Sequence, residues 1–189
     1  MSLILFTPKR FSDPRGWFSE TFRIDAWQRL GVHDAFVQDN QSLSGPQDTV
    51  RGLHFQVPPK GQAKLVSCLR GSLYDVAVDL RRGSPTYGQW LGAELSAGNG
   101  RQLYIPVGFA HGFVTLQPDT EVLYKVSNYY APECDRGLAW DDAAIGVNWP
   151  LGGREPLLSE KDTRQPALVD FDSPFVYDGV PMALREVNL

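Results

Sequence analysis

Cysteine is scarce: Cys68 and Cys134 are the only two in 189 residues, and no Cys-x-x-Cys pair occurs. That leaves no disulfide framework and no cysteine zinc pattern, and points to two free thiols in a reducing, cytoplasmic setting. A chain of this length buries roughly 70% of its unfolded surface, so it needs no such staples. Long apolar runs are missing as well. The opening MSLILFTPKRF has a short apolar run before Pro8, without a basic leader or a small-residue cleavage site, so it is not a secretory signal. Nothing approaches the roughly 20 apolar residues that span a bilayer. Charge is nearly balanced at −4, which argues against general binding to nucleic acid or membrane surfaces. An anionic ligand is compatible with that charge if basic residues gather in one cleft. Neither a P-loop nor a dinucleotide fingerprint occurs, so no ATP or NAD cofactor is implied.

What the chain does have is turns. Eighteen Gly and 14 Pro are scattered along it, as expected of many short strands. Period-two alternation is clearest in GSLYDVAVDL (71–80), with Tyr74, Val76, Val78 and Leu80 on one face and Leu73, Asp75, Ala77 and Asp79 on the other. YGQWLGAELS, RQLYIP and EVLYKVSNYY read as further strands, and SAGNG (96–100) as a tight hairpin. Helical signal is poor. IDAWQRLG (24–31) predicts one short helix, with Asp25 as N-cap and Gly31 just past its end. SEKDTRQPALVD (159–170) has room for one further helical turn. No linker or repeat divides the chain. The expectation is a single all-β domain over residues 1–189, a jelly-roll β-barrel with a few short helices and a peripheral C-terminal segment of about 30 residues. Inward-facing polar residues on alternating strands would carry its chemistry.

GRQLYIPVGFAHGFVT places Gly100, Pro106, Gly108 and His111 at the spacing of the second metal motif of cupin barrels, with Thr115 where Asn is expected. That resemblance implies the cupin fold. The first motif needs a His-x-His pair and a downstream Glu, whereas LHFQVPPKG offers only His54, with Gln56 in the second slot. Two histidines fall short of the three or four ligands a stable transition-metal site uses, and His33 reads as a surface residue. No metal is expected. His54 is then either a core histidine with satisfied hydrogen bonds or a base. Lys64 follows it across a Pro-Pro-Lys-Gly turn, so the two could come from adjacent strands, and an inward Lys is costly unless paired or useful. Arg51, three residues before His54, would face the other way unless the strand bends.

A wider set of segments then agrees in order: DPRGWFSETF (13–22), FVQDNQSLS (36–44), VRGLHFQ (50–56), AKLV (63–66), YDVAVDLRRGSPTYGQW (74–90), LYIPVGFAHGF (103–113), YKVSNYYAPE (124–133), WDD (140–142) and LSEKD (158–162). Together they resemble the dTDP-4-dehydrorhamnose 3,5-epimerase family. The resemblance implies a cupin barrel without metal or cofactor that acts on a dTDP-linked 4-keto-6-deoxyhexose. It would invert C3 and C5, converting dTDP-4-dehydro-6-deoxy-D-glucose to dTDP-4-dehydro-L-rhamnose. It also implies a homodimer in which N-terminal strands pair across subunits, and the apolar SLILF run is compatible with such exchange.

The chemistry itself can be reasoned from the ketone. A proton beside a carbonyl leaves only if charge builds on the oxygen, so the site needs a base, a cation at that oxygen, and an acid on the other ring face. His54 suits the base, since an unperturbed imidazole titrates near pH 6.5. By the resemblance Asp162 orients that histidine, Lys64 steadies the enolate and Tyr124 is the acid. Arg15, Arg51 and Lys161 match positions for the anionic and sugar parts, and Glu20, Gln38, Asp39 and Asn40 the base- and sugar-reading segment. His111 would reach the sugar or support the base, and Asp135, with Glu133 as the alternative, completes the substrate set. Each has a structural rival. Ser159-x-x-Asp162 is a plausible capping box, Tyr124 alternates with Val122 and Val126 as barrel filling, and Asp75 or Asp79 could be buried partners of Lys64. Asp-Pro-Arg-Gly around Arg15, and the stretch from Gln38 to Asn40, could be plain turns. The competing functions are a single-position epimerase and a metal-dependent or sugar-nucleotide-binding cupin.

Overall fold

The computed structural model describes residues 2–188. From the N-terminus run β1 (Leu3–Thr7), a small arm of β2 (Phe11–Asp13) and β3 (Gly16–Phe18), helix α1 (Ile24–Arg29), β4 (Gln38–Ser44), β5 (Val50–Gln56) and β6 (Lys64–Arg70). There follow β7 (Ser72–Asp79), β8 (Trp90–Ser96), β9 (Gln102–Ile105), β10 (Phe109–Thr115), β11 (Thr120–Val126), β12 (Asp135–Gly137) and, near the end, β13 (Leu184–Asn188). They build a six-stranded sheet in the order β13-β1-β9-β6-β11-β4 and a five-stranded sheet in the order β12-β5-β10-β7-β8. The two sheets face each other as the expected cupin-type jelly-roll barrel. Among the described residues no helix is long and apolar enough to cross a membrane.

Alternation explains where the core sits. Leu73 and Ala77 of β7 and Phe109 and Phe113 of β10 meet Val66, Leu103, Ile105 and Val122 of the other sheet in the interior cluster. The opposite face of the same strands, with Val76, Val78, Ala110 and Val114, is buried too, because Leu138, Trp149, Leu151, Leu168 and Phe175 cover it. Each Val, Leu, Ile or Phe among them contributes roughly 1.5–3 kcal/mol of burial. The C-terminal segment, expected at the periphery, therefore supplies part of a core, and β13 adds a parallel edge strand beside β1. The SLILF run, for which exchange between subunits is expected, lies within its own chain's sheet, as β1 pairs with β9 and β13.

Local expectations need three corrections. Arg23, not Asp25, is the N-cap of α1; Asp25 sits in the first turn and pairs with Arg23 and Arg29, while Gly31 at φ +91° follows the helix as expected. SAGNG is a tight turn, with Gly100 N–H donating to the Ser96 carbonyl, yet it joins β8 and β9 of different sheets and so closes no hairpin. His54 and Lys64 likewise do not come from neighbouring strands, since β5 and β6 belong to opposite sheets. The SEKDTRQPALVD stretch carries two short 3-10 turns, Asp162–Arg164 and Leu168–Asp170.

Candidate active site

The barrel opens into a cavity of about 570 Å³ lined from both sheets, among others by His54, Lys64, His111, Tyr124, Arg51 and Asp162. How His54 and Arg51 both reach it is decided by a bulge. His54 pairs with His111 and Arg51 with Phe113, so three residue steps on β5 match two on β10. The extra residue reverses the alternation and lets both side chains face the cavity. Gly52 makes this possible: its φ is +139°, and an added Cβ would lie 2.5 Å from the Gly112 Cα. Arg51 is then steadied at the rim by donating to the Ser44 hydroxyl and the Leu43 carbonyl, at 3.1 Å each.

His54 Nε2 lies 2.5 Å from Asp162 Oδ1. Nδ1 of the same ring has no hydrogen-bond partner among the described residues. Asp162 Oδ2 accepts from the Ser159 hydroxyl at 2.9 Å, and the Asp162 N–H donates back to Ser159 Oγ at 3.2 Å. The capping contact and the histidine contact thus coexist, one organising the turn that aims the other. Burial pushes the Asp162 carboxyl upward, but His54, Ser159 and the charge of Lys161 hold it below the usual carboxylate range. It is a carboxylate at neutral pH, able to favour an imidazolium on His54.

Lys64 is 8% exposed. Its Nζ donates to the His54 carbonyl at 3.2 Å and faces His111 Nδ1 at 3.5 Å. Burial lowers its pKa to about 8, against attraction from Asp75 and Asp135. It remains mostly an ammonium at pH 7. Asp79, one of its two expected partners, is instead enclosed by Arg81, Ser84 and Thr86. Tyr124 shares the inward face of β11 with buried Val122 and Val126, and burial raises its phenol, which keeps its proton.

The substrate-reading residues divide. Gln38 and Asn40 alternate inward on β4 and line the cavity. They lie in a strand, not a turn. Asp39 points out of the barrel and pairs with Lys125 at 2.9 Å. Lys161 and Asp135 line the cavity as an ion pair at 2.5 Å, whereas Glu133 is exposed and stands outside it. Arg15 and Glu20 are not brought to this cavity: Arg15, with its side chain 91% exposed, pairs with Asp13 on the arm, and Glu20 pairs with Arg23. Further lining residues were not singled out from sequence, Ser42, Gln62 and Tyr130 among them. The signal for Ser42 was present, since it continues the Gln38–Asn40 alternation, and its hydroxyl is buried without a partner among the described residues. Gln62 and Tyr130 come from loops, where no periodicity marks a facing side.

The lapsed metal slots have found other work. Gln56 clamps the 129–131 segment through the Tyr129 carbonyl and the Ala131 N–H, and Thr115 bonds to the Pro46 carbonyl and the Thr49 N–H. Among the described residues no group of three or more His, Cys, Asp or Glu side chains could hold a metal ion.

A cupin-type barrel whose cavity joins a histidine–carboxylate pair to a buried ammonium suits isomerases that work through an enolate. The chain belongs to the dTDP-4-dehydrorhamnose 3,5-epimerase family, whose model matches residues 1–170. It is 57% identical over 174 residues to the dTDP-4-dehydrorhamnose 3,5-epimerase of Sinorhizobium fredii, covering 92% of this chain and 88% of that one. Among solved structures, the Bacillus anthracis enzyme with TDP and pyrophosphate bound is 49% identical, with a TM-score of 0.82 over 85% of this chain and 90% of that one. The Legionella pneumophila enzyme in complex with dTDP-4-keto-L-rhamnose is 43% identical, with a TM-score of 0.87 over 92% of each chain.

Proposed function

We propose that this protein epimerises dTDP-4-dehydro-6-deoxy-D-glucose at C3 and C5, giving dTDP-4-dehydro-L-rhamnose. The observation that carries the reading is the 2.5 Å His54–Asp162 contact beside the buried Lys64 in one cavity. His54 takes the proton from the carbon beside the ketone and becomes an imidazolium that the Asp162 carboxylate favours. The electron pair moves onto the ketone oxygen, where the Lys64 ammonium steadies it at no reorganisation cost. Tyr124 returns a proton to the carbon, and solvent restores both side chains. Inversion needs attack and return on opposite ring faces; His54 stands on the five-stranded sheet and Tyr124 on the six-stranded sheet that faces it. Repetition at the second carbon completes the reaction, each proton transfer being carried by the chain's own side chains, with no metal or cofactor as the reading has it.

Arg51 and the Lys161–Asp135 pair suit the diphosphate and sugar, and planar guanidinium groups grip phosphate oxygens two at a time. Arg15, Glu20 and the outward Asp39 belong to the reading only as parts of a homodimer. The exposed arm, with Trp17 56% and Phe18 66% exposed, would carry Arg15 and Glu20 to the cavity of a second copy. Cys68 and Cys134 are both unpaired, which suits work in the cytoplasm. The test is to incubate the protein with the 4-keto-6-deoxyglucose nucleotide in D2O and follow C3 and C5 by NMR. Deuterium at both carbons with inverted couplings is expected. Label at one carbon would establish a single-position epimerase, and label at neither would overturn the reading.

A further inference from the structure

Behind His111, which lines the cavity, lies a buried acid that the mechanism above does not use. Asp75 is fully buried on β7, facing inward between Leu73 and Ala77. Its Oδ1 lies 2.6 Å from His111 Nε2, and its Oδ2 has no partner among the described residues. His111, itself 6% exposed, presents Nδ1 to Lys64 Nζ at 3.5 Å on the other side of the ring. A carboxylate is an acceptor only, so His111 Nε2 must be the donor; an ammonium is a donor only, so Nδ1 must be bare. Both constraints are met by one state of the ring, the neutral Nε2–H tautomer. An imidazolium would set a proton on Nδ1 against the ammonium. Burial indeed lowers the His111 pKa, opposing protonation of the ring.

We infer that Asp75 and His111 form a positioning relay for Lys64, in which the carboxylate fixes the ring proton on Nε2 and its charge balances the ammonium through the neutral ring. Lys64 needs such support. It is surrounded by neutral acceptors, the His54 carbonyl and the His111 nitrogen, and among the described residues no carboxylate pairs with it directly. Desolvation of an unsupported ammonium would leave much of it neutral, and a neutral amine steadies an enolate poorly. Of the other charged or titratable groups around the cavity, Asp135 on β12 adds attraction and Lys161 opposes it, while His54 and Arg51 on β5, Tyr124 on β11, Tyr130 and Asp162 complete the set. Asp135 is already committed to Lys161 at 2.5 Å, which leaves Asp75 as the larger attraction on Lys64. The sequence motif assigned His111 to a lapsed metal slot; here the same position serves a cation of the protein's own.

The relay rests on the proposed role of Lys64, but it can be tested without turnover. The Lys64 13Cε signal, assigned by its loss in Lys64→Arg, is titrated by NMR in wild type, Asp75→Asn and Asp135→Asn. Asp75→Asn keeps the shape and an acceptor for His111 while removing the charge. The Lys64 midpoint is expected to fall by about one pH unit or more in Asp75→Asn and by less in Asp135→Asn. An unmoved midpoint in Asp75→Asn, or a larger fall in Asp135→Asn, would overturn the relay. If Asp75→Asn does not fold, imidazole 15N shifts of the wild type decide: His111 is expected neutral and Nε2-protonated from pH 6 to 9, and an imidazolium or an Nδ1–H ring would refute it. In the deuterium assay Asp75→Asn should shift only the alkaline limb toward lower pH, a change that a merely structural role would not make. Loss of all exchange in the wild type would refute the proposed function and leave the titration result standing.

Discussion

Lys64 shows most directly what the site costs the fold. Its folded pKa of about 8 lies below the ordinary value of 10.5, so between those values the unfolded chain binds a proton that the folded chain does not. Stability therefore rises with pH across that window, and below it the buried charge carries a cost on the order of 3 kcal/mol. Denaturant melts of wild type and Lys64→Met at pH 7 and pH 10 should show the difference moving toward wild type at the higher pH, by up to that amount. A difference independent of pH would mean Lys64 is not buried as a cation. Tyr124 gives a second test. Without its hydroxyl, His54 can still remove and return protons on one face, so Tyr124→Phe should take up deuterium from D2O while inversion falls by roughly 10²–10⁴-fold. Equal loss of label and inversion would show that the phenol does more than deliver a proton. His54 and Lys64 were legible as unusual residues because polar groups on buried stretches need a reason. Asp75 was legible only as a partner for Lys64, since nothing in the spacing told that His111 would stand between them.

At the scale of the strand, β5 holds the lesson. Period-two alternation sets Arg51 and His54 on opposite faces, and the objection was sound for a regular strand. The bulge opposite His111 and Phe113 removes it, and Gly52 is the residue that permits the bulge. Gly52→Ala forces a Cβ against the Gly112 backbone at a positive φ, a contact that no side-chain rotation relieves. It should destabilise the protein by several kcal/mol, read as a lower Tm, and any folded fraction should lose activity through a shifted His54. An unchanged Tm with full activity would mean the bulge is not needed. Alternation did separate the two faces of β7, without telling which one points inward, and did group Tyr124 with Val122 and Val126 on β11. It failed at SAGNG, where a turn looks the same whether the next strand joins the same sheet or crosses to the other.

For the whole molecule, the double burial of β10 and β7 had no local signature: the covering residues, Trp149, Leu168 and Phe175 among them, come from a stretch of loops whose composition reads as surface. The same limit applies to Arg15 and Glu20, which the family pattern groups with the site and the single chain leaves apart from it. A symmetric dimer that exchanges arms would resolve the difference, because each site would then draw residues from two copies. Mixing Arg15→Ala with His54→Ala, each weak or inactive alone, should restore part of the activity, since a mixed dimer contains one intact site. No recovery in mixtures shown to exchange subunits would place Arg15 outside the site.

The central claim is that the ring of His54, held by Asp162, removes the protons beside the ketone. Its most direct measurement is deuterium uptake at C3 and C5 of the sugar nucleotide by His54→Ala, beside wild type at equal folded concentration. The account predicts that uptake at both carbons disappears in the variant; uptake near the wild-type rate at either carbon would contradict it.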